Sequence, residues 1–285
     1  MKNVLILCAL LCVGTLAQAQ FRFGPKAGIN YTAIYGSPQE HQGETLESIK
    51  FGLGYQLGAF AEMSINDRLG LMVELAYEAK RSEKTAIYPA AASIPAGALG
   101  NFTIRGVVNS KTDYSYINLP VLATFGNEKF KAYFGPSFGF LLGAKSDLSQ
   151  INSRINPANP VTGAALTDAE LVALGVSQAT LNTIDAGAGV GVTINQKVDF
   201  LGKNDNGLIN DTDYSSDPYF NQFELGLNLG GMLNVTDNLF LDLRINYGIT
   251  DRTNNKYDVS VIDLTTARSD SDKTAGVLLS LGYRF

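Results

Sequence analysis

The sequence predicts an all-β fold, a closed antiparallel transmembrane β-barrel of eight strands with long loops on one rim and short turns on the other. Three observations predict it. Apolar and polar residues alternate with period two in eight separate stretches, which gives each strand one greasy and one polar face. The connections between those stretches alternate strictly between short and long. No stretch after the first nineteen residues is apolar for the roughly 18 residues a membrane-crossing helix requires. A closed barrel is then the structure that satisfies every backbone hydrogen bond in lipid.

The elements follow in chain order. Residues 1–19 carry Lys2, an unbroken apolar run from Val4 to Val13, and the small-x-small pattern Ala17-Gln18-Ala19, which predicts a cleaved signal peptide. Both cysteines, Cys8 and Cys12, fall inside it, and neither follows the small residue that lipidation needs. The barrel domain is then expected over 20–285. Strands are predicted at Phe21–Tyr35, Phe51–Ile65, Leu69–Glu83, Asp113–Phe125, Lys129–Lys145, Phe223–Val235, Leu239–Tyr247 and Val277–Phe285. The pattern is clearest from Leu239 to Tyr247, where Leu241, Leu243, Ile245 and Tyr247 oppose Asp242, Arg244 and Asn246. Asn66-Asp67-Arg68, Gly126-Asn127-Glu128 and Thr236-Asp237-Asn238 are hairpin turns of the Asn/Asp/Gly kind. The remaining connections, 36–50, 84–112, 146–220 and 250–272, are long.

Such one-sided asymmetry belongs to barrels with tight periplasmic turns and long external loops. An even strand count puts both ends of the domain on the periplasmic side. Aromatic residues near strand ends, Phe51, Tyr77, Tyr114, Phe125, Phe130, Tyr247, Tyr283 and Phe285, fit girdles at headgroup depth. In the third long loop, Thr167-Asp168-Ala169-Glu170 is a capping box that predicts a short helix ending near Gly175. Beyond it, Gly187 to Ile194 alternates small and β-branched residues, as either an external hairpin or a further membrane strand.

Composition narrows the function. The formal net charge is −5, with 22 basic and 27 acidic residues; without a basic patch to neutralise phosphates, nucleic acid is not an expected partner. The domain after the signal segment contains no cysteine, so neither a disulfide nor a thiolate metal site is available.

Three stretches carry a family resemblance: Tyr116-Ile117-Asn118-Leu119-Pro120-Val121, Phe134-Gly135-Pro136-Ser137-Phe138-Gly139 and the final Leu281-Gly282-Tyr283-Arg284-Phe285. In that order they resemble the PorT-like outer-membrane β-barrel proteins typical of Bacteroidetes-type bacteria. The resemblance spans the whole barrel domain and implies a bacterial outer-membrane barrel with no assigned activity. The third loop is longer than in compact members. A final aromatic after alternating apolar residues, Phe285, looks like the signal taken up by the barrel-assembly machinery.

Candidate chemistry is sparse. Placing the greasy faces toward lipid puts Arg22, Lys26, Glu62, Glu74, Glu78, Lys80, Lys131, Glu224, Asp242, Arg244 and Arg284 inside. An eight-stranded barrel has room only for side chains, so these charges are expected to pair. His41, the one histidine, sits beside Glu40 and near Glu44, a general-base geometry on paper and more often a solvated loop residue. Residues 202–213 approximate a calcium loop, with Asn204, Asn206, Gly207, Asn210 and Asp213 at ligand spacing but Gly202 where an Asp is needed. No catalytic, cofactor-binding or metal residue is assigned, and no cofactor is expected. The expected function is a non-enzymatic scaffold with a filled lumen, displaying the 146–220 loop to an external or envelope partner. The competing class is a narrow porin-like channel.

Overall fold

A computed structural model of the chain describes residues 21–95, 100–160, 162–204, 213–258, 260, 262, 268 and 270–285; the predicted signal segment 1–19 lies outside the described residues. The described chain runs β1 (Phe21–Tyr35), β2 (Glu40–His41), β3 (Glu44–Thr45), β4 (Glu47–Ser64), β5 (Leu69–Pro95), β6 (Asn101–Gly126) and β7 (Phe130–Ile155). It continues through two helices, α1 (Asp168–Ala173) and α2 (Gln178–Ala188), to β8 (Thr193–Asp199), β9 (Phe223–Asn234), β10 (Leu239–Gly248) and β11 (Lys273–Tyr283).

Eight of these strands close a ring in the order β1, β4, β5, β6, β7, β9, β10, β11, every neighbour antiparallel, and β11 pairs back onto β1 from Lys26↔Gly282 to Tyr35↔Lys273. The predicted count is therefore correct. The three short turns share one device: a side-chain oxygen accepts from the two backbone amides that end the turn. Asn66 Oδ1 accepts from Arg68 and Leu69 at 2.9 and 2.8 Å, Asn127 Oδ1 from Lys129 and Phe130 at 2.9 Å each, and Thr236 Oγ1 from Asn238 and Leu239 at 3.3 and 3.0 Å. Such Asx- and Thr-anchored turns fold locally and fix the register of each hairpin.

The outward face is a continuous apolar band. Ile29, Leu57, Leu75, Leu119, Phe138, Leu229, Leu243 and Leu279 are all exposed on it, as a lipid-facing surface requires. Girdle positions Phe51, Phe125, Phe130, Tyr247, Tyr283 and Phe285 are likewise exposed. Tyr114 is not: it is buried, sharing the inward parity of Tyr116 and Asn118 on β6. Its place at a strand end suggested a girdle, and its even-numbered register decides against one.

Three predicted boundaries need correction. The 84–112 connection is largely strand, because β5 and β6 pair as far as Pro95↔Asn101. The 146–220 segment is likewise structured: β7 continues to Ile155, and β8 pairs with it from Lys145↔Asp199 to Ile151↔Thr193. Beyond the lipid band both faces of a strand are polar, as with outward Asn109, Lys111 and Asp113 against inward Ser110 and Thr112, so the alternation that marks a membrane strand fades. Finally, 187–194 is no membrane strand. It holds the end of α2, a left-handed Gly189 cap with φ 62°, and the first residues of β8.

Candidate functional site

The interior is built in layers from side chains of one parity. Nearest the short turns, Glu62 accepts from Arg284 Nε at 3.0 Å and pairs with Lys131. Above them lies an apolar plug of Phe60, Met72, Leu122, Tyr133, Met232 and Phe240. Phe60 and Phe240 meet edge to face at 5.2 Å, and the Arg284 guanidinium caps the Phe240 ring at 4.3 Å. Gly282 and Gly230 permit this layer, since a methyl group at either would collide with the rings of Phe240 and Tyr133 respectively.

The next layer is ionic. Glu74 accepts from Arg244 at 3.0 and 2.6 Å and from Lys26 at 2.8 Å, while Asp242 pairs with Lys26 and accepts from the Tyr133 hydroxyl. Above it Gln56 donates to Ser280 at 2.5 Å, Asn246 to Asn228 at 2.9 Å and Asn118 to Glu78 at 2.9 Å. Lys80 then pairs with Glu78 at 3.0 Å, and Arg252 donates to the Tyr116 hydroxyl at 2.6 Å, with Glu224 3.8 Å away. Of the charged side chains predicted to face inward, Lys26, Glu62, Glu74, Glu78, Lys80, Lys131, Glu224, Asp242, Arg244 and Arg284 do so, each paired with the opposite sign, and Arg22 is half-buried on β1. Arg252, placed in a long connection by sequence, is the inward charge that reading missed; it hangs into the barrel from beyond β10 and is fully buried.

An aromatic floor of Tyr114, Tyr116, Leu141 and Phe220 closes the top of the lumen, and above it opens a cavity of about 810 Å³. One wall is formed by β4 to β8, and the other by residues that include Tyr214, Tyr219, Thr253, Tyr257, Asp258 and Asp272. The aromatic cluster Phe200, Tyr214, Tyr219 and Tyr257 forms one corner, with Tyr219 and Tyr257 stacked at 5.9 Å and 20°. The opposite corner is charged. Glu47 is buried, which alone raises its pKa, but Lys84 at 2.6 Å and Arg268 at 2.7 Å hold it below the usual range. Asp258 is pushed up to about 7 by burial and by the neighbouring Asp270. Burial also raises Asp272, which accepts from Thr253 Oγ1 at 2.5 Å.

The other sequence candidates are dispersed. His41 sits in the small β2–β3 hairpin opposite Glu44, whose carboxylate pairs with Arg105 instead. Asn204 is consumed locally, accepting from Asp199 N at 2.8 Å and donating to Asp199 O at 3.0 Å, and Asp213 accepts from Ser215 N at 2.9 Å. Positions 205–212 of that calcium-like stretch lie outside the described residues. Among the described residues no three His or carboxylate side chains converge to hold a metal ion.

Residues 16–254 match the outer membrane protein beta-barrel domain family. The chain belongs to that family. This outer-membrane barrel is similar to solved structures of Ail from Yersinia pestis (11% identity, 93% of this chain and 99% of that one, TM-score 0.36) and of Neisserial surface protein A (12%, 94% and 99%, 0.30). It is also similar to OprG from Pseudomonas aeruginosa (11% identity, 94% and 97% covered, TM-score 0.32). No match was found among the curated proteins. The family match ends at 254, yet the barrel closes only through β11 at Lys273–Tyr283. The protein thus resides in the bacterial outer membrane, its short turns facing the periplasm and its tall sheet and cavity facing out.

Proposed function

We propose that the protein is a PorT-like, non-enzymatic scaffold of Bacteroidetes-type outer membranes, closed to solutes and binding at its outer rim. The observation that carries this reading is the plug: Phe60, Met72, Leu122, Tyr133, Met232 and Phe240 are each at most 3% exposed and fill the section between two ionic layers. Ions would have to cross an apolar layer in which the rings of Phe60 and Phe240 touch, and desolvating a charge there is very costly. The rim, by contrast, carries a cavity and two helices on the 146–220 segment, the surface through which an external or envelope protein would be engaged. Phe285, packed at 5.8 Å against Phe23, follows β11 in the segment proposed to be taken up by the assembly machinery.

Planar-bilayer recording of refolded protein, with folding established by heat-modifiable migration, tests the closed lumen. The expected record is flat. Reproducible unitary steps would replace the scaffold with a narrow channel.

A further inference from the structure

We propose that the rim cavity binds an amphipathic organic cation, its flat apolar body against Tyr219 and Tyr257 and its ammonium facing Asp258 and Asp272. The inference deepens the scaffold reading by naming the class of small molecule that the rim accepts, and it rests on that reading's placement of binding outside the lumen.

The volume of about 810 Å³ lies in the range of pockets that enclose drug-sized ligands. The charges in its walls are unbalanced. Among the described residues three carboxylates, Glu47, Asp258 and Asp272, line it with one ammonium, Lys84. Among the described residues three cations lie near, and each is already held: Lys84 at 2.6 Å and Arg268 at 2.7 Å by Glu47, Arg268 also by Asp270 at 2.5 Å, and Lys256, over the Tyr257 ring, by Asp217. Asp258 and Asp272 repel each other and Asp270, to which Asp258 is also hydrogen-bonded; Arg268 offsets this at Asp258 and Lys84 at Asp272 only in part, so both carboxyls stay raised. A ligand cation would relieve that repulsion, an anion would add to it, and a neutral molecule would leave it unchanged.

The aromatic corner supplies the second half of the recognition. Tyr219 and Tyr257 line the cavity stacked on each other, with Phe200 4.6 Å from Tyr219 and the Lys256 ammonium 5.1 Å from the Tyr257 ring. Desolvated aromatic faces attract ammonium groups through the ring quadrupole and bury flat apolar bodies without regard to charge. On the facing wall the buried Oε1 of Gln196 has no hydrogen-bond donor, and a ligand N–H would supply one. A metal ion fits less well, because among the described residues the carboxylates do not converge on one point.

The groups facing Asp258 are Asp270, Arg268, Asp272 and Tyr219. With its carboxyl titrating at about 7, Asp258 is charged and attractive to a cation above that pH and neutral below it. Cation affinity therefore falls as pH drops through that range.

The test uses three indoles of matched shape: tryptamine, neutral tryptophol and anionic indole-3-acetate. The protein contains no tryptophan, so indole emission reports the ligand directly in detergent-solubilised, full-length protein. Tryptamine is expected to bind at least about tenfold more tightly than tryptophol at about pH 8, with indole-3-acetate weaker still. Asp258→Asn should remove most of that preference and the pH dependence while leaving tryptophol unchanged. Tyr219→Ala should weaken all three. Heat-modifiable migration confirms that each variant is folded, and Asp272→Asn serves in place of any that is not. Equal binding of the three indoles, no binding, or a tryptamine preference that survives both Asp variants would overturn the cation site. Conductance from the same preparation separates the two readings: a flat record without indole binding defeats the cation site alone, and unitary steps defeat the closed scaffold.

Discussion

Arg244 lies at the centre of the buried ionic layer, reaching Glu74 at 3.0 and 2.6 Å and Tyr133 at 3.1 Å. Removing one partner from such a pair leaves a charge buried without compensation, a loss of about 3–5 kcal/mol. Arg244→Ala should therefore lower the urea midpoint of the refolded barrel markedly, whereas Arg244→Met combined with Glu74→Met should recover most of the loss. If the double variant is as unstable as the single one, the pairing account is wrong. Asp258 makes a prediction of opposite sign. Its carboxyl is raised to about 7 by burial and Asp270, so its ionisation opposes folding of the rim. The penalty is absent below the unfolded value of about 4, grows as pH rises, and is complete above about 7. Amide exchange in 253–258 should be slower in Asp258→Asn than in the parent at about pH 8 and equal at about pH 4. Equal protection at both values would refute the assignment.

At the level of elements, α1 and α2 form a cap with its own small core of Phe102, Leu166, Leu171 and Leu181, fastened to β7 by Arg154, which pairs with Asp168 at 2.9 Å and Asp185 at 2.8 Å. That core is separate from the layers inside the barrel. Replacing 157–191 by a short Asn-Gly turn between β7 and β8 should leave heat-modifiable migration intact. Loss of the folded band would show that the cap is needed for barrel closure. The cap also shows what was legible from sequence. Thr167 accepts from Glu170 N at 3.3 Å, and Thr167 N donates to the Glu170 carboxylate at 2.7 Å, the capping box expected from four residues alone. The membrane strands were legible because lipid imposes a strong contrast between their faces. The tall parts of β5, β6 and β7 were not, since water bathes one side and a polar cavity the other. The cavity itself was out of reach of sequence reasoning. It joins Glu47, Tyr219, Asp258 and Asp272, residues brought together only by closure of β1 onto β11 and by the fold of the chain between β10 and β11.

For the molecule as a whole, the governing fact is that its polar interior and apolar exterior invert the usual arrangement of a globular protein. Leu243 faces lipid in mid-band, opposite Leu279, and an arginine there costs about 2–4 kcal/mol. Leu243→Arg should lower the unfolding free energy in lipid vesicles by that amount, and Leu243→Val should change it little. An indifferent Leu243→Arg would place the band elsewhere. The three tallest strands, of 27, 26 and 26 residues, far exceed the 9–11 residues that cross a bilayer.

That surplus amounts to about 15 residues per strand, or about 50 Å of chain at the rise of a β-strand. Because only β4 to β8 take part in the tall sheet while β1, β9, β10 and β11 stop near the rim, the molecule resembles a half-raised mast rather than a chimney. It has a front and a back. The helical tip stands clear of the bilayer, and the bearing of the cavity is set by how the barrel is turned among its neighbours in the membrane.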